Sequence, residues 1–239
     1  MATVNLLYKD KFKVNDKISV VIPTVGDIIE CEDDYYSIIS FFTSMPIDMI
    51  APLDEAGIDF TTINEWDLFV LLFGSIREMD THLILGDIDL KKFEVGVNTK
   101  NGNIELRNEE DGIVIDRAIH DRIATVLRTI HQLEKNHRRP GNEEAKAYLI
   151  KRAREKARRH KNRKRESQLE PLIVAMVNTE QYKYDFESTR TLSIYQFNKC
   201  VRQVIKKTDY DNLMHGVYAG TINAKEVSPD KLNWLSSKN

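Results

Sequence analysis

A run of positive charge in the second half of the chain limits most strongly what it can fold into. Between Lys151 and Gln168 the only apolar residues are Ala153 and Ala157. The stretch therefore has helix propensity but lacks an apolar stripe that could be buried against a core. Like charges at helical spacing also repel each other by about a few tenths of a kcal/mol per pair. We expect this stretch to be solvated or matched by an anionic surface.

The remaining charge is segregated as well. Residues 1–134 carry 12 Lys/Arg and 25 Asp/Glu, residues 135–165 carry 14 and 3, and residues 166–239 carry 9 and 9. Three environments stay open for the basic block: water, an acidic protein surface on the same chain or on a partner, and nucleic acid. The sequence pI of 6.3 and the lack of aromatic residues inside the run weigh against nucleic acid.

The candidate partner-binding residues follow from this charge and from the C-terminal sequence. On a helix, cations three, four or seven positions apart share one side. Near the C-terminus, Trp234 and Leu235 precede a polar end, where an aromatic residue either tethers the end to its own domain or anchors a partner. We predict that Trp234 and Leu235 form an apolar anchor for a partner. We also predict an electrostatic partner-binding surface made of Arg152, Arg154, Arg158, Arg159, Lys161, Arg163, Lys164 and Arg165.

Short β elements are predicted in the first half of the chain. Residues 18–22 and 27–31 have the composition of two short strands, separated by Pro23 and Gly26. Alternating apolar residues on both sides of Asn101-Gly102 predict a β-hairpin with a two-residue turn.

Helices are predicted from apolar spacing and from capping residues. Asp116, Asn142 and Ser193 are candidate first residues or N-caps of helices, and so is a Thr or Asn that precedes Trp66. Together these elements predict an α+β fold with three segments: an acidic α+β domain over 1–136, a basic helical arm or linker over 137–168, and a helical C-terminal module over 169–239. The sequence leaves open whether the first and third segments share a core.

Motifs for catalysis and cofactor binding are missing from the sequence. It contains no Gly-rich phosphate loop, no dinucleotide fingerprint, no His-Glu-x-x-His helix and no nucleophile elbow. Cys31 and Cys200 lack metal-ligand spacing, and the six histidines are scattered. We therefore expect no catalytic residues, no metal, no cofactor and no enzyme activity. Apolar runs are too short to span a bilayer, and the N-terminus lacks signal-peptide character, so we expect an intracellular protein without a membrane partner.

The order of several segments resembles a known class of proteins. These segments are "IPTVGDIIECEDDYYSIISFFTSMPIDMIAPLDEAGIDFTTINEWDLFVLLF", a basic arm, "YQFNKCVRQVIKK" and the closing "LNWLS". Together they are similar to tail or baseplate assembly chaperones of bacteriophages that infect Gram-positive bacteria. The resemblance implies a protein that holds or joins tail components in the host cytoplasm during virion assembly, and that either leaves or stays in the virion. It supplies no catalytic residues to carry over.

Two functions of different classes follow. An assembly protein would bind other tail proteins with acidic surfaces through its acidic domain, basic helix and C-terminal module, and could form an oligomer within an assembly. A nucleic-acid-binding protein would instead place the basic helix along phosphates, with affinity that falls steeply as salt rises. We expect the first function, with the second as the alternative.

Overall fold

Short strands and helices alternate through the first half of the chain, and longer helices dominate the second half, which confirms the predicted α+β class. The computed structural model describes residues 5–160 and 166–235. The strands are β1 (Lys11–Lys13), β2 (Ser19–Val21), β3 (Glu94–Val97), β4 (Ile104–Asn108) and β5 (Ile113–Ile115). The helices are α1 (Val25–Ile29), α2 (Glu32–Thr43), α3 (Ile50–Glu55), α4 (Glu65–Ile76), α5 (His82–Leu85), α6 (Arg117–His131), α7 (Glu143–His160), α8 (Leu169–Val177), α9 (Phe186–Thr191) and α10 (Ile194–Tyr218).

The strands form two small antiparallel sheets. β1 pairs with β2, which confirms a strand at residues 18–22, and the second sheet has the order β3-β4-β5. The predicted hairpin is confirmed by the pairing of Val95 with Leu106. Its turn is longer than the predicted two residues. The Asn98 N–H donates to the Asn103 carbonyl at 2.8 Å, so residues 99–102 form the loop.

The predicted strand over residues 27–31 is wrong, because residues 27–29 belong to helix α1, and Glu30 and Cys31 connect α1 to α2. Thr24 caps the helix: its hydroxyl accepts from the Asp27 N–H at 3.1 Å, and the Asp27 carboxylate accepts from the Thr24 N–H at 2.9 Å. This reciprocal capping box satisfies two backbone donors and starts a helix in spite of the β-branched residues that follow.

The other predicted helix starts are confirmed by their capping side chains. Asn64 accepts from the N–H groups of Trp66 and Asp67, and Asp116 accepts from Ile119. The Asn142 side chain accepts from the Ala145 N–H at 2.8 Å, and Ser193 forms a capping box with Gln196. Each cap satisfies donors that the first turn of a helix leaves unpaired, and thereby fixes where the helix begins.

One hydrophobic core extends from the N-terminal strands to the start of α10, which answers the question that the sequence left open. Phe42, Phe69 and Phe73 lie at its centre, and Ile194 and Phe197 of the C-terminal segment are fully buried in the same cluster. A second, smaller cluster forms around α3 and the first half of α7. The predicted boundaries at residues 136 and 168 stay predictions, but residues 169–197 are part of the main core.

Hydrogen bonds join the same two parts of the chain. The Ile194 N–H donates to the Pro23 carbonyl at 2.8 Å, and the Val25 N–H donates to the Leu192 carbonyl at 2.9 Å. The Glu32 carboxylate accepts from the Leu169 N–H at 2.9 Å, at the start of α8. Burial alone would raise the pKa of Glu32, but hydrogen bonds from Ser167 and from backbone N–H groups at α8 hold it below its usual value.

Helix α10 leaves this core after its first turns. Ile194, Tyr195 and Phe197 are buried, whereas Ile205 is 56% exposed and Tyr218 is 79% exposed. At 25 residues the helix is about 37 Å long, so more than half of it extends past the core.

Candidate functional site

The basic helix α7 is anchored to the chain through the part between Lys146 and Arg154. Leu149, Ile150 and Ala153 are partly buried against the second apolar cluster, which includes Leu53 and Phe60 near α3. The sequence predicted no apolar anchor between Lys151 and Gln168, and Ala153 is the one residue of that stretch that joins the cluster in the described part of the chain. The anchor is supplied mainly by the turn that precedes the basic run.

Two ion pairs fix the same part of α7, between Lys146 and Arg154, to acidic residues of the N-terminal segment. The Lys146 Nζ atom lies 2.5 Å from Asp59 Oδ2, and the Arg154 guanidinium contacts both oxygens of Asp54, at 2.5 and 3.0 Å. The hydrogen bond from Lys146 lowers the pKa of Asp59 to about 2, and the bond to Asp54 raises the pKa of Arg154. Part of the basic helix is therefore matched by the chain's own acidic half, one of the environments that the sequence left open.

Three other arginines of α7 have no such partner in the described part of the chain. Arg158 and Arg159 are exposed, and the guanidinium of Arg152 lies 5.7 Å from the ring centre of Tyr148, one turn earlier. Among residues 5–160 and 166–235, no carboxylate lies within ion-pair distance of these three arginines. We call Arg152, Arg158 and Arg159 the unpaired arginines. The predicted partner-binding residues Lys161, Arg163, Lys164 and Arg165 lie outside the described residues.

The two residues of the predicted apolar anchor, Trp234 and Leu235, lie in different environments. The Gln203 side chain donates to the Trp234 carbonyl at 3.1 Å, and the Lys207 ammonium lies 5.6 Å from the centre of the Trp234 ring. Trp234 is thus tethered to α10 of its own chain, the first of the two roles considered for it. Leu235 is 72% exposed and leaves an apolar side chain available at the surface.

A buried polar group that the sequence did not single out lies beside α4 and α6. Glu65 forms ion pairs with Arg128 and with Lys135, whose Nζ atom lies 2.5 Å from Glu65 Oε2. His120 is 1% exposed, and its Nε2 atom has no hydrogen-bond partner in the described part of the chain. Burial lowers the pKa of His120 to about 4, so its imidazole is neutral at pH 7.

His131, at the end of α6, is a second histidine of this helix and is half-buried. Its Nε2 atom lies 2.9 Å from the Tyr35 hydroxyl, and burial lowers its pKa to about 4. Unlike His120, this imidazole has a partner, so a role in the fold accounts for it.

The described part of the chain contains neither a cluster of metal ligands nor a membrane-spanning helix. In the ranges 5–160 and 166–235, no group of three or more His, Cys, Asp or Glu side chains is arranged to hold a metal ion. Within the same ranges, no helix combines the length and the apolar character that crossing a membrane requires.

Part of the chain matches the model of a known protein family. Residues 160–239 match the family model described as the YomV second domain, a phage-type family. The match covers a third of the chain and includes α8, α9 and α10, and it points to a bacteriophage origin. The curated proteins and the solved structures gave no match to this chain.

Proposed function

We propose that the chain is a non-enzymatic protein of bacteriophage tail or baseplate assembly. In this proposal it joins other tail proteins through the unpaired arginines of α7 and through the projecting part of α10. The proposal is supported by the sequence resemblance, by the phage-type family that residues 160–239 match, and by the way in which α7 is held.

The single observation that carries the proposal is the contrast between two sets of cations on α7. Lys146 and Arg154 pair with carboxylates of a protein surface. The unpaired arginines, Arg152, Arg158 and Arg159, have no carboxylate within ion-pair distance in the described part of the chain. Arg favours bidentate pairing with carboxylates. A partner with an acidic surface would extend the contact that α7 already makes with its own chain.

The projecting part of α10 and Leu235, which follows α10 in the chain, would supply the apolar contacts that the arginines lack. On α10, Ile205 and Tyr218 are 56% and 79% exposed, and Leu235 is 72% exposed. Buried aromatic and aliphatic side chains provide most of the affinity of a protein interface, and charges mainly set orientation and association rate. Burial of these residues in a partner would therefore fix the complex that the arginines orient.

Charge reversal tests the proposal. The full chain, tagged and co-expressed with the tail proteins of its own phage, is purified and the composition of the complex is measured by mass. We expect wild type to retain a tail protein and the double variant Arg158→Glu, Arg159→Glu to lose it. The matched control is Lys9→Glu, Lys11→Glu, which makes the same charge change at exposed lysines of the N-terminal segment. Retention of the partner by the α7 variant would refute the proposed role.

Nucleic-acid binding is the alternative, because exposed arginines without carboxylates nearby also suit phosphates. Under this alternative, purified wild type carries nucleic acid that about 0.5 M salt removes, since release of counterions makes such binding salt-dependent. The absorbance ratio at 260 and 280 nm before and after a salt wash decides between the two. If the α7 variant loses nucleic acid while every protein contact persists, the alternative replaces our proposal.

A further inference from the structure

Strand β3 lies at an open edge of the three-stranded sheet. The sheet has the order β3-β4-β5, so β4 pairs with one side of β3, and no other strand of the described chain pairs with the opposite side. Val95 and Val97 of this strand are 52% and 60% exposed. A sheet edge whose backbone groups are unpaired is a template for pairing with a further strand.

The pairing of β3 with β4 shows which backbone groups face the open edge. Along an antiparallel strand, residues that bond the neighbouring strand alternate with residues whose N–H and C=O groups point the other way. The Asn98 N–H, directly after β3, donates towards β4, to the Asn103 carbonyl at 2.8 Å. By this alternation Val97 and Val95 direct their N–H and C=O groups to the open edge, where neither N–H has an acceptor within the described residues.

The side chains beside this edge are apolar. Val95 and Val97 lie on one face of the sheet because they are two positions apart, and Ile104, which is paired with Val97, lies on the same face and is exposed as well. Edge strands of native sheets are usually protected by Lys, Pro or a bulge. The four residues of β3, with the sequence EVGV, include neither Lys nor Pro, and their pairing with β4 is continuous. The edge is therefore open to another strand.

We propose that the open edge of β3 pairs antiparallel with the same edge of a second copy of the chain. A symmetric contact requires a surface that is complementary to itself. In the register that places Val95 opposite Val97 of the second copy, every outward N–H of these valines meets an outward carbonyl. The valines of both copies then meet on one face, where β-branched cross-strand pairs stabilise a sheet.

The charges beside β3 fit the same register. In the part of the chain that the structure describes, Glu94 and Lys100 form no ion pair, whereas Lys92 is already paired with Glu110 at 2.9 Å. The register places Glu94 diagonally across from Lys100 of the second copy, a separation that long side chains span. Symmetry repeats this contact on the other side of the pair. This charge complementarity favours a second copy over an unrelated strand.

The size of the contact sets its expected strength. Each copy contributes one strand of four residues, so the interface is smaller than the standard size of about 1,600 Å² and the dimer should be weak. We expect a Kd of about 10–100 μM. The inference does not rest on the proposed function, because β3 lies outside the unpaired arginines and outside α10.

Sedimentation equilibrium of the full chain, at up to about 1 mM and at low salt, measures this self-association. Val95→Glu places a charge among the paired valines and should weaken the dimer by about tenfold or more. The matched control is Val114→Glu, which makes the same change at an exposed valine of β5 on the opposite face of the sheet, and should leave the Kd unchanged.

A proline tests the backbone contact separately. Val97→Pro removes an N–H that faces the open edge and is not used by β4, so it should weaken the dimer by about tenfold or more. Val97→Thr keeps that N–H and the β-branched shape, and should change the Kd by less than about threefold.

Charge reversal tests the symmetry of the pairing. Glu94→Lys alone places two Lys side chains together at each diagonal contact, and Lys100→Glu alone places two Glu side chains together. Each variant should therefore dimerise at least about threefold more weakly than wild type. An equimolar mixture of the two variants restores an opposite-charge pair at both contacts, and should associate about as tightly as wild type.

Four results would overturn the proposal. A wild-type chain that stays monomeric at about 1 mM would leave the edge to a strand of another protein. The other three are self-association that persists in Val95→Glu, an equal loss in Val114→Glu, and a mixture of the two charge variants that associates no more tightly than either variant alone.

Discussion

Replacement of Phe197 by Ala tests the shared core at the point where the two ends of the chain meet. Phe197 lies in the first turns of α10, is fully buried, and packs edge-on against Tyr182 with ring centres 6.3 Å apart. Removal of a buried phenyl ring costs about 3–5 kcal/mol, because apolar burial is lost and a cavity stays behind. Against a total stability of roughly 5–15 kcal/mol for a protein domain, this is a large fraction.

The assay follows urea unfolding with two probes of different location. Trp66 fluorescence, in a Trp234→Phe background, reports on α4 in the N-terminal segment, and circular dichroism at about 222 nm reports on all helices. If residues 169–197 unfold together with the N-terminal core, Phe197→Ala lowers the midpoint seen by both probes. With a urea m-value of about 3 kcal/mol per M, the shift is roughly 1–1.7 M.

The matched control is Ile205→Ala on the same helix. Ile205 is 56% exposed, and Ala has the higher helix propensity, so its stability should change by less than about 0.5 kcal/mol. The reasoning is refuted if Phe197→Ala leaves the Trp66 transition in place while part of the helical signal is lost at lower urea. That outcome would show that the C-terminal segment unfolds independently.

Three further predictions concern the packing and electrostatics of this core. Gly26→Ala would place a Cβ 2.6 Å from a side-chain carbon of Arg190 on α9, and should lower the free energy of unfolding in urea by about 1–3 kcal/mol. Gly74→Ala is the control: its Cβ would meet no neighbouring atom within 4 Å, so it should stabilise α4 by about 0.5–1 kcal/mol. Burial lowers the pKa of His120 from 6.5 to about 4, so protonation of this histidine favours the unfolded state. The urea midpoint of unfolding should therefore fall as pH drops from about 6.5 towards 4, and His120→Phe should reduce that fall. Glu32→Gln should cost about 0.5–2 kcal/mol at pH 7, because α8 loses its charged cap, and an unchanged midpoint would contradict the capping role.

Local chemistry made much of the fold predictable from the sequence. Capping side chains such as Asn64, Asp116 and Ser193 act on N–H groups two or three residues away, so a short stretch of sequence contains all of the interaction. The error at residues 27–31 also concerns local chemistry: the composition of this stretch predicts a strand, whereas the capping box of Thr24 and Asp27, which lies in the same short stretch, starts a helix. The predicted α+β class was correct because these local signals agreed over most of the chain.

Long-range chemistry was not predictable in the same way. The cap of α8 comes from Glu32, which is 137 positions away from Leu169, and no spacing rule connects the two. The wide cavity that the first turns of α4, α6 and α7 line likewise depends on three separate regions of the chain. His120 had only one sequence signal, its position on the apolar face of α6, and that signal indicates burial without indicating an unpaired nitrogen.

The position of Arg158 on α7 indicates what could lie beyond the anchored part of the helix. Lys146 and Arg154 are eight residues apart, which is about 12 Å along a helix and about 80° around it, and both reach acidic residues of the N-terminal segment. Arg158 follows Arg154 by four positions, so it lies about one turn further on nearly the same side, at a point where the described chain offers no carboxylate within ion-pair distance. A surface that pairs with Arg158 as Asp54 pairs with Arg154 would therefore need an acidic group about 6 Å beyond Asp54 along the helix axis.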